Sequence, residues 1–269
     1  SSATIAIVNS QITSSGNVTI AAASTVTATA QSTGLGVDIG ADAAAGTAIA
    51  DSMAIAHLSG TSTVTAAGLL SLSATNNLTV TATGDASSAT AGAALALAVA
   101  NETTEAYIDS TGTILAGDMD IAATGNDTIT TTAKGSPSGA KNTGATTDSQ
   151  SKLTDYKAET SDGSVGVAAA VAITDLTRQT KAYISTPASI TSADGLDIIA
   201  TSSGGAATKA DGGAASSSVG VGVGVAVNNV DADNLAYVDG NSNLTAKSIK
   251  VQALMPATGA FSVEAISGA

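Results

Sequence analysis

Few residues in this chain can do chemistry. There is one histidine, His57, and no cysteine, so thiol chemistry is excluded, and a Ser/His/Asp triad or a histidine metal site would have to be built around that single imidazole. Carboxylates come close together at Asp118/Asp120 and Asp231/Asp233, with Asp239 opening the run Asp239-Gly-Asn-Ser-Asn243. These five are candidate calcium ligands, because a hard cation wants several oxygens. None completes an EF-hand loop, since the glycine at the sixth position and the closing glutamate are missing. Turn-forming Asp and Asn account for the same residues more simply. Paired carboxylates also cleave polysaccharides, but such sites need acidic and basic side chains gathered in a groove, and the nine basic residues are scattered. No catalytic residue, no cofactor and no enzyme activity is therefore expected, with calcium as the one ion the acidic pairs would suit.

The elements that must carry these residues read as strands. Apolar residues alternate with small or polar ones, most clearly in Val219–Ala253, VGVGVGVAVNNVDADNLAYVDGNSNLTAKSIKVQA, which is the period-two signature of strands with one buried face. GVGVGVAV lacks the GxxxxGK[ST] pattern of a phosphate loop and reads as one such strand. A short motif, Ala followed by a larger residue and an aliphatic one, recurs five times with its middle position near 7, 57, 107, 183 and 237. Self-similarity of this kind marks a repeat architecture. Counting about six short strands per repeat predicts an all-β, right-handed parallel β-helix with about two three-stranded coils per ~50-residue repeat, residues 1–269 forming one solenoid of five repeats. At ~4.8 Å per coil the rod would be on the order of 50 Å long. The chain starts in mid-unit, and FSVEAISGA at its end resembles the start of a further coil, so a longer array or capping neighbours are expected.

Within this frame the aliphatic column Val8, Leu58, Ile108, Ile184 and Val238 is placed inside, and its neighbours Ile7, His57, Tyr107, Tyr183 and Tyr237 outside. His57, Tyr107, Tyr183 and Tyr237 then form an exposed aromatic line with steps of ~10 Å, suited to stacking on sugars or on another rod. In Val219–Val227 the valines are expected inward and Gly220, Gly222 and Gly224 outward, a flat face for lateral self-association. Comparable faces are expected at Leu35–Ile39, Ala93–Ala100 and Val165–Ile173. Residues 134–163 have no counterpart in the other repeats and hold four of the nine basic residues with Tyr156. They read as an insertion loop or an extra irregular coil, and insertions in solenoids gather on one face. Thr-rich runs such as LTVTAT suggest a water-ordering, ice-binding ladder, although the threonines do not recur at one position across the repeats.

Composition sets the outer bounds. Aromatic residues make up only 2% of the chain against 43% hydrophobic residues, so the core must be thin and aliphatic. The formal charge of −13 argues against nucleic acid and against an anionic membrane surface as partners. No apolar run reaches the ~18–20 residues of a membrane span.

The run GVGVGVAVNNVDADNLAYVDGNSNLTAKSIKVQA resembles the repeats of large bacterial filamentous adhesins of the leukotoxin-type and haemagglutinin-like group. In those, alternation leads into Asn-Asn and Ala-Tyr-Ile/Val and then a second strand pair. The resemblance extends to Ala98–Gly125 and Val165–Ser202, while the first two repeats depart from it by placing Ile7 and His57 where the others have Tyr. It implies a secreted or surface-displayed β-helix in an adhesin or fibre, with no enzyme activity; association with copies of the chain is expected from the flat Gly/Ala faces, and contact with cell-surface glycans from the aromatic line. A polysaccharide-binding or polysaccharide-cleaving β-helix is the alternative, and an ice-binding solenoid the third.

Overall fold

The computed structural model describes residues 1–34, 41–87, 91–135, 165–214, 219–256 and 259–268. Among them there is no helix, and hence none long and apolar enough to cross a membrane. The strands are β1 (Ser2–Val8), β2 (Gln11–Ser14), β3 (Val18–Thr33), β4 (Ala41–Gly60), β5 (Thr63–Asp85), β6 (Ala91–Ser110), β7 (Thr113–Lys134), β8 (Val165–Ile184), β9 (Ser189–Ser192), β10 (Gly195–Gly213), β11 (Val219–Val238), β12 (Asn243–Thr245), β13 (Ser248–Leu254) and β14 (Ser262–Gly268). All pairings are parallel. One sheet runs β1-β4-β6-β8-β11, and the other is built from β2, β3, β5, β7, β9, β10, β12, β13 and β14. The fold is a parallel β-solenoid.

Each coil consists of one run in each sheet joined by a tight turn, unbroken in β4–β5 and β6–β7 and divided into shorter strands in the second sheet of the other coils, so the expected two coils per repeat become one. Sequence neighbours across the stack lie 50 residues apart between β4 and β6, 76 between β6 and β8, and 54 between β8 and β11. The reason for the miscount is visible in β5 and β7. Asn76-Asn77 and Gly125 look like turn signals in sequence but lie inside strands of 23 and 22 residues. There Asn76 turns inward as a polar interior side chain, and Asn126 donates from Nδ2 to Asn77 Oδ1 at 3.0 Å on the outside. At the strand spacing of ~4.8 Å the coils stack over about 20 Å, less than half the expected length. FSVEAISGA does not open a further coil. It carries β14, which pairs with Ala207–Gly213 of β10 and completes the fifth coil.

Real turns lie where β4 passes to β5 and at the equivalent places. Gly60 and Gly240 take positive φ there, and Asn9 Oδ1 accepts from the Thr61 backbone N–H at 3.0 Å in the next coil. Ser110 Oγ donates to the Ser62 carbonyl at 2.8 Å, so the corners are tied from coil to coil.

The interior divides along the strand direction. Near the tight turns lies a wide core of Leu58, Leu70, Leu72, Ile108, Met119, Ile121, Ile184, Leu196 and Ile198. Toward the other end the first sheet contributes mostly alanine, with Ala44, Ala48, Ala50, Ala94, Ala96, Ala98, Ala170 and Ala172, facing Leu78, Val80 and Ile129 of the other sheet and, further out, Ala82, Ala133 and Ala210. The sheets are pinched here. A β-carbon built on Gly46 would collide with the Thr83 carbonyl of the opposite sheet, and one on Gly224 with the Ile266 carbonyl, far closer than the ≈10 Å between sheets held apart by ordinary side chains.

This pinch overturns the expected orientation of the glycine-valine run. Gly222 and Gly224 align with the buried Ala168 and Ala170 and face the interior, while Val221, Val223, Val225 and Val227 point outward and are 43 to 50% exposed. Only residues without large side chains fit between sheets this close, so the valines are forced out. Gly220 pairs with Gly166 in the backbone. Of the comparable stretches, Leu35–Ile39 lies outside the described residues. Ala93–Ala100 and Val167–Ile173 repeat the inverted pattern, with Leu95 and Val167 outside and Ala96 and Ala172 inside. The first repeat is also out by one residue. Ile7 stands beside Leu58 in the inward column and Ala6 beside His57, so Val8 turns outward next to Ser59 and is exposed. A one-residue shift exchanges the two faces of a strand.

Candidate functional site

Between the two cores runs a ladder of buried polar side chains that crosses four coils. In the first sheet its column is Ser52, Glu102 and Arg178, one residue from each of β4, β6 and β8. Across from it lie Asn76, Gly125 and Ser202, and one step further Asp127. Ser24 and Ser52 exchange a hydrogen bond at 2.9 Å, and Ser52 Oγ donates to Asn76 Oδ1 at 2.5 Å. Thr104 Oγ1 donates to Glu102 Oε1 at 2.8 Å. At the upper end Arg178 Nη1 donates to Asp127 Oδ2 at 3.2 Å and to the Ser203 carbonyl at 3.0 Å. The Phe261 ring lies 5.6 Å from the guanidinium carbon of Arg178 and covers it, a cation–π contact.

Glu102, Asp127 and Arg178 are each 2% exposed. Isolated charge is costly in such surroundings, and the titration of Glu102 follows from that. Burial, then a hydrogen bond with Asp127 and its negative charge, pushes the Glu102 carboxyl up to about 9. Glu102 thus keeps its proton to higher pH than an ordinary glutamate, and the neighbouring Asp127 is paired in turn with Arg178. One oxygen of each carboxyl, Glu102 Oε2 and Asp127 Oδ1, is buried without a hydrogen-bond donor. Gly125 makes the space, since a β-carbon there would crowd Glu102 Oε1 at 2.6 Å and Thr180 Oγ1 at 2.8 Å. Two carboxyl groups and a guanidinium therefore meet, but buried in the interior. A depression of about 430 Å³ lies nearby, over Asn126–Thr130 and Ser203–Ala207 with Gly259 and Ala260 at its side. The Asp127 side chain beneath it is fully buried.

The second feature is on the outside. His57, Tyr107, Tyr183 and Tyr237 stack face to face along the solenoid, with ring centroids 4.8, 4.7 and 4.9 Å apart and planes within 9° of parallel. The expected ~10 Å step is halved, because each repeat is one coil. Parallel in-register strands hold equivalent residues one strand spacing apart, which sets the ring separation directly. Burial lowers the His57 pKa, against the opposing pull of Asp109 and Glu105, and raises that of Tyr183. The imidazole Nδ1 is buried without a hydrogen-bond partner.

The acidic candidates are spread over several places. Asp118 Oδ1 accepts from the backbone N–H groups of Gly195 and Met119, and Asp239 Oδ1 from that of Gly240, which are turn contacts. Asp120 has its pKa raised by burial and by Asp118 and Asp197. Asp231 and Asp233 lie exposed on β11. Among the described residues no three His, Cys, Asp or Glu side chains gather as a metal site. The insertion lies outside the described residues beyond Gly135. Lys134, its first residue, ends β7 and reaches Asp85 at 3.4 Å.

The threonines, unlike the reading from sequence, do recur in register. On the outer face of the second sheet Thr27, Thr79 and Thr128 lie side by side, as do Thr29, Thr81 and Thr130. Coil offsets there are 52 and 49 residues, with a slip between Ala66 and Leu69, so an alignment taken from the first sheet hides the columns.

Sequence reasoning missed the buried triad because Glu102 and Arg178 sit among polar neighbours that read as turn or surface. Their strand parity with the buried Ala106 and Ala182 is the signal that places them inside. Comparison with family models, with curated proteins and with solved structures finds no match.

Proposed function

We propose that this chain is a structural segment of an extracellular bacterial fibre or adhesin shaft that self-associates and has no catalytic role. The observation that carries the reading is the buried polar ladder. Within the ladder Arg178 pairs with Asp127 and Glu102 lies against Asp127, and these side chains are buried beneath the surface rather than set in an open groove where a substrate polymer could lie. The surface features repeat along the axis, as suits a shaft. They include the ring stack and ion pairs such as Lys250–Asp197 at 2.6 Å and Lys181–Glu105 at 3.9 Å. The outermost strands of the first sheet, β1 and β11, each pair on one side only among the described residues, which gives further coils a template for axial stacking. Negative-stain electron microscopy at rising concentration tests the reading. Filaments or paired rods are expected, and monodisperse single rods at every concentration would refute self-association.

The threonine columns favour one further reading, a water-ordering face. Their spacings of ~4.8 Å across coils and ~6.8 Å along strands form a flat lattice of hydroxyls and methyls. Thermal hysteresis and reshaped ice crystals would support it, and their absence at millimolar protein would remove it.

A further inference from the structure

The inverted end of the coil leaves an apolar sheet face on the outside, and we infer that a second copy of this chain covers it in an isologous dimer. The face is the outward side of β4, β6, β8 and β11 in their N-terminal halves. In its first four rows, from Ala41 to Thr47 on β4 and the positions paired with them, Thr47 is the only polar residue. No charge interrupts it, although the chain carries −13 overall. Four strands at ~4.8 Å and four outward rows at ~6.8 Å give a patch on the order of 500 Å², bounded at the next row by Asp175 and Asn229. That is at the upper end of what monomers expose. Two such patches would bury about 1,000 Å², the least that a specific interface between copies needs and the size of a weak, reversible one.

The shape of the face selects the partner. Outward side chains on β4 from Ala41 to Ala45 are all alanine, and those on β11 from Val221 to Val227 all valine, with Leu95 and Val171 between them. The surface is a wedge, thin over β4 and thick over β11. A twofold axis parallel to the strands lays the β11 edge of one copy on the β4 edge of the other, and two equal wedges then close into a layer of even thickness. Self-complementarity of this kind is what an isologous interface requires. The same axis brings the acidic rim, Asp51 on β4 and Asp231 on β11, against the rim of the partner, so added salt should strengthen the pairing.

The inference rests on the self-association reading and narrows it to one face. Sedimentation velocity of the whole chain across concentration is expected to show a reversible monomer–dimer equilibrium that tightens with salt. Val225→Asp should weaken it at least tenfold with an unchanged circular dichroism spectrum and unfolding midpoint. Because the chain has no cysteine, a double A45C/V225C variant should form intermolecular disulfides on oxidation. Within one copy those positions are three strands apart, ~14 Å, too far to bridge. A monomer at all concentrations and salts, a dimer indifferent to Val225→Asp, or crosslinking of V225C to itself would overturn the inference. Single-width filaments that Val225→Asp leaves intact would overturn it while leaving the fibre reading in place.

Discussion

The two ends of each coil are built from the same alternation with opposite polarity. Near the tight turns Leu72 and Ile121 point inward and are at most 1% exposed, and the outward positions beside them are Ser71, Ser73 and Asp120. At the pinched end Ala96 and Gly46 point inward, and Leu95 and Ile49 stand outside. The difference teaches that alternation alone specifies two faces and leaves open which one is the core. Sheet separation decides it. Where the sheets stand apart, large aliphatics fill the gap and gain the transfer energy of burial. Where the first sheet meets the facing backbone, as at Gly46 and Gly224, its inward positions take only small side chains.

The ladder of Ser52, Glu102, Asp127 and Arg178 marks the boundary between the two regimes, and breaking it should have the largest effect. Arg178→Ala leaves Asp127 buried without its cation and should cost about 3–5 kcal/mol, read from urea unfolding. Glu102→Gln tests the same boundary through pH. The folded state holds the Glu102 proton up to about 9, while the unfolded chain sheds it near the ordinary 4.5. The contribution of this group to stability is therefore whole below pH 4.5 and is lost as pH rises through 9. Unfolding free energy of the native chain should fall by about 1 kcal/mol per pH unit across that window, and Glu102→Gln should flatten the slope. An unchanged slope would show that Glu102 is ionised in place.

Inside the wide end, Leu72→Ala opens a cavity among the large aliphatics and should cost ~2–5 kcal/mol. The pinched end should punish the opposite change. Gly46→Ala puts a methyl group into the Thr83 carbonyl and should cost ~1–3 kcal/mol as the sheets are forced apart. The smallest effect sharpens the contrast most. Val225→Ala removes as apolar a side chain as many in the core, yet from the outer face, and should change monomer stability by no more than ~0.5 kcal/mol. A loss near that of Leu72→Ala would mean that the valines of β11 are core residues and that the inverted orientation is wrong.

Much of the architecture can be read from the residues. The period-two pattern, the shortage of aromatics and the recurrent Ala-Tyr-Ile/Val motif suffice for a parallel all-β solenoid. They also align Tyr107, Tyr183 and Tyr237 with His57, because equivalent residues in parallel in-register strands must be neighbours. The number of coils is not readable in this way, because Asn76, Asn77 and Gly125 carry the chemistry of turns while serving inside strands. Which face is inward at Val221–Val227, and that Glu102, Asp127 and Arg178 meet, depend on how far apart the two sheets lie and on coil offsets that differ between them. Those distances are set by all coils packing at once. Local sequence thus determined strand, repeat and periodicity, and only the tertiary structure decided inside from outside, since burial belongs to the gap between two sheets and not to either strand alone.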